Sequence, residues 1–307
     1  MEGPDVVVIG DCNPDVVLTG EVTPAFGDVE QMVDDAVVTI GGSAAILAAG
    51  AARLGLRTAL VGVVGDDALG RLQLDALRAR SVDVGSVAVL PETATGMTTI
   101  LSRSDDRGIL TFLGTIDAVE AEFVDRELLR SARHVHASSY FLQQRLRPAL
   151  PAIFGDLRAN SVTTSLDTNW DPTERWDSGL RELLPYVDCL FPNAAEATRI
   201  TGTTSVEEAA ERLAEHVPIV VVKLGADGAL ARAGPTSVRG AAVPVDVVDT
   251  VGAGDSFAAG FLAGHLRGWA LERSVALACA CGSLSTRALG GVEGQPTLAE
   301  ACAAAGI

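Results

Sequence analysis

Apolar and polar positions along the chain fall into two rhythms. Short strand-like runs recur at Asp5 to Ile9, Thr58 to Val64, Ala132 to Ala137, Thr163 to Asp167, Cys189 to Pro192 and Ile219 to Leu224, the first β-branched and the last continuously apolar. Each has strand length, and the unbroken run at Ile219 to Leu224 predicts a strand covered on both faces. Between them apolar residues return at helical spacing. This predicts helices over Ser43 to Leu54, Asp67 to Arg80, Pro148 to Arg158, Ser178 to Leu184, Ala194 to Ile200 and Ser205 to His216. Gly55 suits the stop of the first, and Ser205 with Glu208 forms a capping box at the start of the last. Two more apolar helices follow, one after Asp255 and one over Val275 to Leu284. Strand and helix in alternation predict an α/β fold, a mostly parallel sheet with helices on both faces.

Two segments break the rhythm. Asp15 to Ile40 and Ala94 to Gly114 hold strand-like runs with no helix between them. The second reads as a hairpin, Thr98 to Ser102 and Ile109 to Leu113, joined by a solvated turn of Asp105, Asp106, Arg107 and Gly108. The expectation is a small β-sheet lid, built from segments at about 12–40 and 92–115, on one α/β domain spanning 1–307. No linker-like stretch or internal repeat divides the chain.

Composition narrows this picture. Hydrophobic residues make up 48% and aromatics 4%, so the core is one of Ala, Val, Leu and Ile. Apolar runs stop well short of the roughly 20 residues needed to cross a membrane. The opening MEGPDVVVIG has no basic leader and no apolar signal segment, so the expected place is the cytoplasm. A net charge of -17 argues against a nucleic-acid partner. Cys12, Cys189, Cys279, Cys281 and Cys302 show no C-x-x-C spacing and are expected to be reduced thiols. The chain has a single lysine, Lys223.

The candidate chemistry lies in DTVGAGDSFAAGF, residues Asp249 to Phe261. A helix start presents unpaired N–H groups and the positive end of a dipole, and glycines let an anion approach them. Gly252, Ala253 and Gly254 thus read as an anion cradle. Asp255 would repel an anion, but it can take a proton from a hydroxyl attacking the cradled group. Cradle and carboxylate together suit phosphoryl transfer to an alcohol. Locally, an N-cap Asp after a tight glycine turn reads the same way. Phe257 stands where the third glycine of G-x-G-x-x-G belongs, so the dinucleotide fingerprint fails.

Asp249 to Phe257 resembles the C-terminal signature of the ribokinase/PfkB family of carbohydrate kinases. The resemblance extends over nearly the whole chain. Gly10 to Asp15 is similar to the family's first strand with its sugar-binding Asp. Gly41-Gly42-Ser43 is similar to its double-glycine signature, Asn193 and Glu196 to its N-x-x-E motif, and Lys223, Gly225 and Gly228 to its strand and turn by the nucleotide phosphates. The helix-poor segments fall where the family carries its lid. The resemblance implies a ribokinase-like three-layer sandwich and ATP- and Mg²⁺-dependent transfer to a small sugar or sugar-like acceptor. It makes Asp255 the catalytic base and Gly252, Ala253 and Gly254 the anion hole. Asn193 and Glu196 would organise Mg²⁺ through water, and Lys223, Gly225 and Gly228 would lie along the nucleotide. Asn13, Asp15, Gly41, Gly42, Ser43 and Gln143 would contact the acceptor. Asp249 and the Val251 carbonyl resemble part of a monovalent-cation site for K⁺ found in some members, and in some members the lid pairs two subunits.

The sequence also departs from the pattern. Ribokinases read G-G-K-G-A-N, whereas Ser43, Ala44, Ala45 and Ile46 follow the double glycine here, which argues against ribose as the acceptor. Asp167 to Asp171 resembles the Asp-x-Asn run of fructokinase-like members without their following Arg. A nucleoside kinase of the same fold and a non-catalytic regulator are the alternatives, the second disfavoured by the intact Asp255, cradle and N-x-x-E. His134 and His136 share a strand face, and without a third ligand at useful spacing they read as structural. Cys279 and Cys281 read as helix core.

Overall fold

The fold, a computed structural model, is described for residues 3–103 and 107–307. In chain order the strands are β1 (Val6–Ile9), β2 (Asn13–Thr19), β3 (Asp35–Gly41), β4 (Thr58–Gly65), β5 (Val82–Leu90), β6 (Met97–Ser102), β7 (Arg107–Phe112), β8 (His134–Ala137), β9 (Thr163–Leu166), β10 (Cys189–Leu190), β11 (Ile219–Lys223), β12 (Ala229–Ala233) and β13 (Thr236–Gly240). Among the described residues, nine of them form one sheet in the order β13-β12-β11-β10-β9-β8-β1-β4-β5. From β11 to β5 every pairing is parallel; β12 and β13 close the other edge antiparallel.

The central strand shows why the pattern makes this sheet. All four residues of β1 are buried. Val6 and Val8 pack with helices Ser43–Arg53, Ala253–His265 and Leu271–Ser285 on one face, while Val7 and Ile9 pack with Ile153, Phe154 and Leu157 of helix Leu150–Ala159 on the other. A β-branched run apolar at every position is stable only between two such layers. The first layer is made close by small residues: Gly260 lies so near Cys281 that a Cβ would stand 2.8 Å from its Sγ.

The helix-poor segments form the expected second sheet, in the order β3-β2-β6-β7. Its inner side is pinned by Val17, Ile100 and Val251. Its outer side leaves Val38, Leu110 and Phe112 exposed.

Some elements differ from the expectation. The hairpin's second strand begins at Arg107, which pairs with Ser102, so Arg107 and Gly108 are strand rather than turn. Asp105 and Asp106 lie outside the described residues. The helix expected over Ser178 to Leu184 is a single turn, Leu180–Leu183, because Ser178 (φ 46°) and Gly179 (φ 87°) are left-handed and Pro185 follows. Strand β10 is only two residues long, since Pro192 offers no N–H and Asn193 already starts a helix. Strands β5, β12 and β13 were not anticipated; β12 and β13 are short and mix polar with small residues around a Gly234–Pro235 turn. The five cysteines are unpaired, as expected.

Candidate active site

The carboxyl ends of the parallel strands, the turn before helix Ala253–His265 and strand β7 of the lid enclose a cleft of about 730 Å³. One end is apolar, walled by Val243, Pro244, Val245, Phe257 and Cys279; the other is polar, walled by Asp167, Asn193, Glu196, Lys223, Gly252 to Asp255 and Arg107.

The helix start is built by Gly252. Its φ is 68°, and a Cβ there would stand 2.8 Å from Gly291 Cα and 2.9 Å from Ile46 Cγ2, so only glycine turns the chain at this place. Gly254 is helical, yet a Cβ on it would lie 3.3 Å from Lys223 Nζ, at the mouth of the cradle. Asp255 follows on the first turn. Burial pushes its carboxyl well above the ordinary range, and Asp167 and Asp11 push the same way, while Lys223 and the Ser43 hydroxyl oppose. A carboxylate so placed holds a captured proton more tightly than one in water, which is what a base for an alcohol needs.

Lys223 ends β11 and reaches Asp167 Oδ2 at 2.5 Å. Burial alone would lower its ammonium, but Asp167, Glu196 and Asp255 outweigh it, so its proton is held more tightly than usual. Asn193 and Glu196 cap helix Ala194–Thr201 with a complete capping box: Asn193 Oδ1 accepts from Glu196 N–H at 2.9 Å, and Glu196 Oε2 accepts from Asn193 N–H at 2.9 Å. Asn193 Nδ2 and Thr168 Oγ1 also donate to that carboxylate. Burial raises the Glu196 carboxyl, with Lys223 opposing. Among the described residues no cluster of three His, Cys, Asp or Glu could hold a metal by itself. That suits Mg²⁺, which keeps waters and takes phosphate oxygens beside one or two carboxylates.

Gly225 has a φ of 60° and open space where a Cβ would stand, consistent with room for a ligand. Gly228 lines the cleft too, but its glycine is required by the fold: φ is 84°, and a Cβ would stand 2.0 Å from the Gly240 carbonyl.

Of the six expected acceptor contacts, Ser43 lines this cleft. Asn13, Asp15, Gly41 and Gly42 gather beside it at the lid base. An added Cβ on Gly41 would stand 2.0 Å from Asp15 Oδ1, so glycine there makes room for the carboxylate. Asp15 is buried, and burial, with Asp11 and Asp249 nearby, raises its carboxyl to about 8. Gln143 stands apart from the cleft wall; its Nε2 donates to the Ile116 carbonyl at 2.9 Å and anchors the chain leaving the lid. Asp249 accepts from Val251 N–H at 3.0 Å and Gly290 N–H at 2.9 Å, tying the cradle turn to the loop under Thr39.

Three site residues stood outside the expected set. Asp11 takes the N–H groups of Ser43 and Ala44 at 2.9 and 3.1 Å and so orients the double-glycine turn. Asp167 holds Lys223; its place at the carboxyl end of a parallel strand was the available signal. Arg107, read as a turn residue, reaches from the lid to Thr250 Oγ1 at 3.0 Å beside the cradle.

An α/β sheet with a glycine-built helix start, a buried carboxylate on its first turn and a lid suits a phosphotransferase site. The family model for pfkB family carbohydrate kinases matches residues 4–298. An ATP-dependent ribose-1-phosphate kinase from Halopiger xanaduensis is 35% identical, over 97% of each chain. A protein from E. coli described as a ribokinase II, solved with ATP and Mg²⁺, superposes with a TM-score of 0.86 at 26% identity over 98% of each chain. An adenosine kinase from Sinorhizobium meliloti superposes with a TM-score of 0.87 at 27% identity, again over 98% of each. The chain belongs to the pfkB family of carbohydrate kinases and has the ribokinase fold with its lid.

Proposed function

We propose that this kinase transfers the γ-phosphoryl group of ATP to a hydroxyl of a small sugar or sugar phosphate, with Asp255 as the base. The observation that carries this reading is the meeting of Asp255, Gly254 and Lys223 at one helix start in the polar end of the cleft. The base of ATP fits the apolar end, between Val243, Val245 and Cys279, and its phosphates run past Lys223 and Gly225 toward the cradle. Glu196 and Asn193 would hold Mg²⁺ through water, and the ion would neutralise phosphate charge. The acceptor would lie under the lid with its hydroxyls on Asp15, Asn13 and Ser43. Asp255 takes the proton of the attacking hydroxyl as the N–H groups of the cradle receive the developing charge. Lid closure, with Arg107 drawn to Thr250, excludes water as a competing acceptor.

Among the described residues, Arg107 and Lys223 are the cations that line the cleft. The acceptor pocket is otherwise acidic, with Asp11, Asp15, Asp249 and Asp255 close together. A phosphorylated sugar would therefore set its phosphate toward Arg107. This favours a sugar phosphate such as ribose 1-phosphate, the acceptor named for the 35%-identical relative, over a neutral pentose. The buried Asp249 carboxylate and the Val251 carbonyl would seat a monovalent cation, read out as activation by K⁺ over Na⁺. The test is ADP release with ATP and Mg²⁺ over ribose 1-phosphate, fructose 6-phosphate, ribose, 2-dehydro-3-deoxygluconate and adenosine. Strongest turnover with a sugar phosphate is expected. Turnover with adenosine alone would replace this reading with a nucleoside kinase.

A further inference from the structure

A polar stripe runs through the apolar face beneath helix Ala253–His265. His134 and His136 alternate on β8; Thr163 and Ser165 alternate on the adjacent β9, with Asp167 two residues beyond. Both histidines and Ser165 are fully buried. Hydrogen bonds join them into a chain: Thr163 Oγ1 to His134 Nδ1 at 2.8 Å, His134 Nε2 to Ser165 Oγ at 2.7 Å, and Ser165 Oγ to His136 Nδ1 at 2.7 Å.

The proton positions follow from the first link. Thr163 donates its hydroxyl proton to the Arg133 carbonyl at 3.1 Å, so its oxygen accepts from His134 Nδ1–H. Burial holds His134 well below the ordinary imidazole range, hence neutral, and its Nε2 is an acceptor. Ser165 therefore donates to His134, and its oxygen accepts from His136 Nδ1–H. His136 is lowered by burial to about 4 and is neutral as well, so its Nε2 carries a bare lone pair. That atom has no partner among the described residues, nor has Ser138 Oγ, one residue past the end of β8. Buried acceptors are rarely left so. The ring lies against Phe191, 6.0 Å between centroids, and feels the charges of both Asp167 and Lys223.

We propose that His136 is a positioning residue for the Asp167–Lys223 pair, its Nε2 locked as an acceptor by the Thr163–His134–Ser165 chain for a donor at the floor of the cleft. Lys223 makes its bond to Asp167 and none to Nε2, so the donor is one buried water shared with Asp167 and Ser138. Through that water His136 fixes where the Asp167–Lys223 pair stands when nucleotide phosphates arrive. The proposal rests on the kinase reading of the cleft.

The test joins ¹⁵N NMR of the His136 ring in the wild-type protein with calorimetric binding of Mg²⁺ and a non-hydrolysable ATP analogue. The expected tautomer is Nδ1–H, with Nε2 in the shift range of a hydrogen-bonded acceptor. His136→Phe is expected to weaken analogue binding roughly tenfold, about what one buried hydrogen bond contributes. His136→Gln, whose amide oxygen can accept, recovers most of it. Ser138→Ala, which removes one partner of the water, is expected to weaken binding in the same direction but less. An Nε2–H tautomer in the wild type overturns it. So does His136→Phe that lowers Tm but binds the analogue as the wild type does. A wild-type protein that binds no analogue at all overturns the kinase reading itself, and with it the role of Lys223.

Discussion

Asp15 carries a measurable consequence of its surroundings. It is buried among carboxylates, and its folded-state value near 8 lies above the ordinary 3.8. The folded state therefore binds a proton more tightly than the unfolded chain between those values, and stability falls as pH rises through that window. Asp15→Asn removes the penalty. The variant is expected to melt a few degrees above the wild type at pH 9, with the gap closing toward pH 4, followed by thermal scans across pH. It should also lose acceptor affinity. An equal gap at both pH values would contradict the buried-carboxylate account. At this scale the sequence was uneven. The helix start from Gly252 to Asp255 was legible as a unit because its residues are contiguous. Asp167 was not, because its meaning is the ion pair with Lys223, 56 positions away. Gln143 was half legible, since nothing in a loop glutamine reveals that the Ile116 carbonyl takes its amide N–H.

Elements position these residues through backbone shape. Gly252 and Gly254 separate two demands on one helix start. At Gly252 the left-handed φ and the close approach of Gly291 and Ile46 are needs of the fold. At Gly254 the backbone is helical, and only the space beside Lys223 excludes a methyl. Gly252→Ala is thus expected to lower Tm clearly. Gly254→Ala is expected to keep or raise Tm, since alanine favours a helix by about 1 kcal/mol, while losing at least tenfold in kcat/KM for ATP. Melting curves and kinetics of the two variants check the contrast. Periodicity made the parallel strands and their helices legible, because β1, β4 and β11 are apolar on both faces. It did not reveal β12 and β13, where Ala229, Ala231 and Ala233 pack with too little side chain to leave a pattern.

At the scale of the molecule, the lid was legible as two stretches without a helix, but its outer face was not. Val38, Leu110 and Phe112 stand exposed there, Leu110 by 61% and Phe112 by 55%. We take this face to pair with a second copy of the chain, as the lid resemblance implied. Leu110→Lys with Phe112→Glu is expected to shift a dimer to monomer in sedimentation experiments. A monomeric wild type would contradict the pairing.

The most direct test of the account is acceptor-dependent ADP release by Asp255→Asn beside the wild type, with ATP binding measured on both. We expect unchanged nucleotide affinity and a fall in kcat of a thousandfold or more, in line with loss of a base and of its place at the cradle. Turnover near that of the wild type would contradict the assignment of Asp255, and with it the reading of the helix start as the centre of phosphoryl transfer.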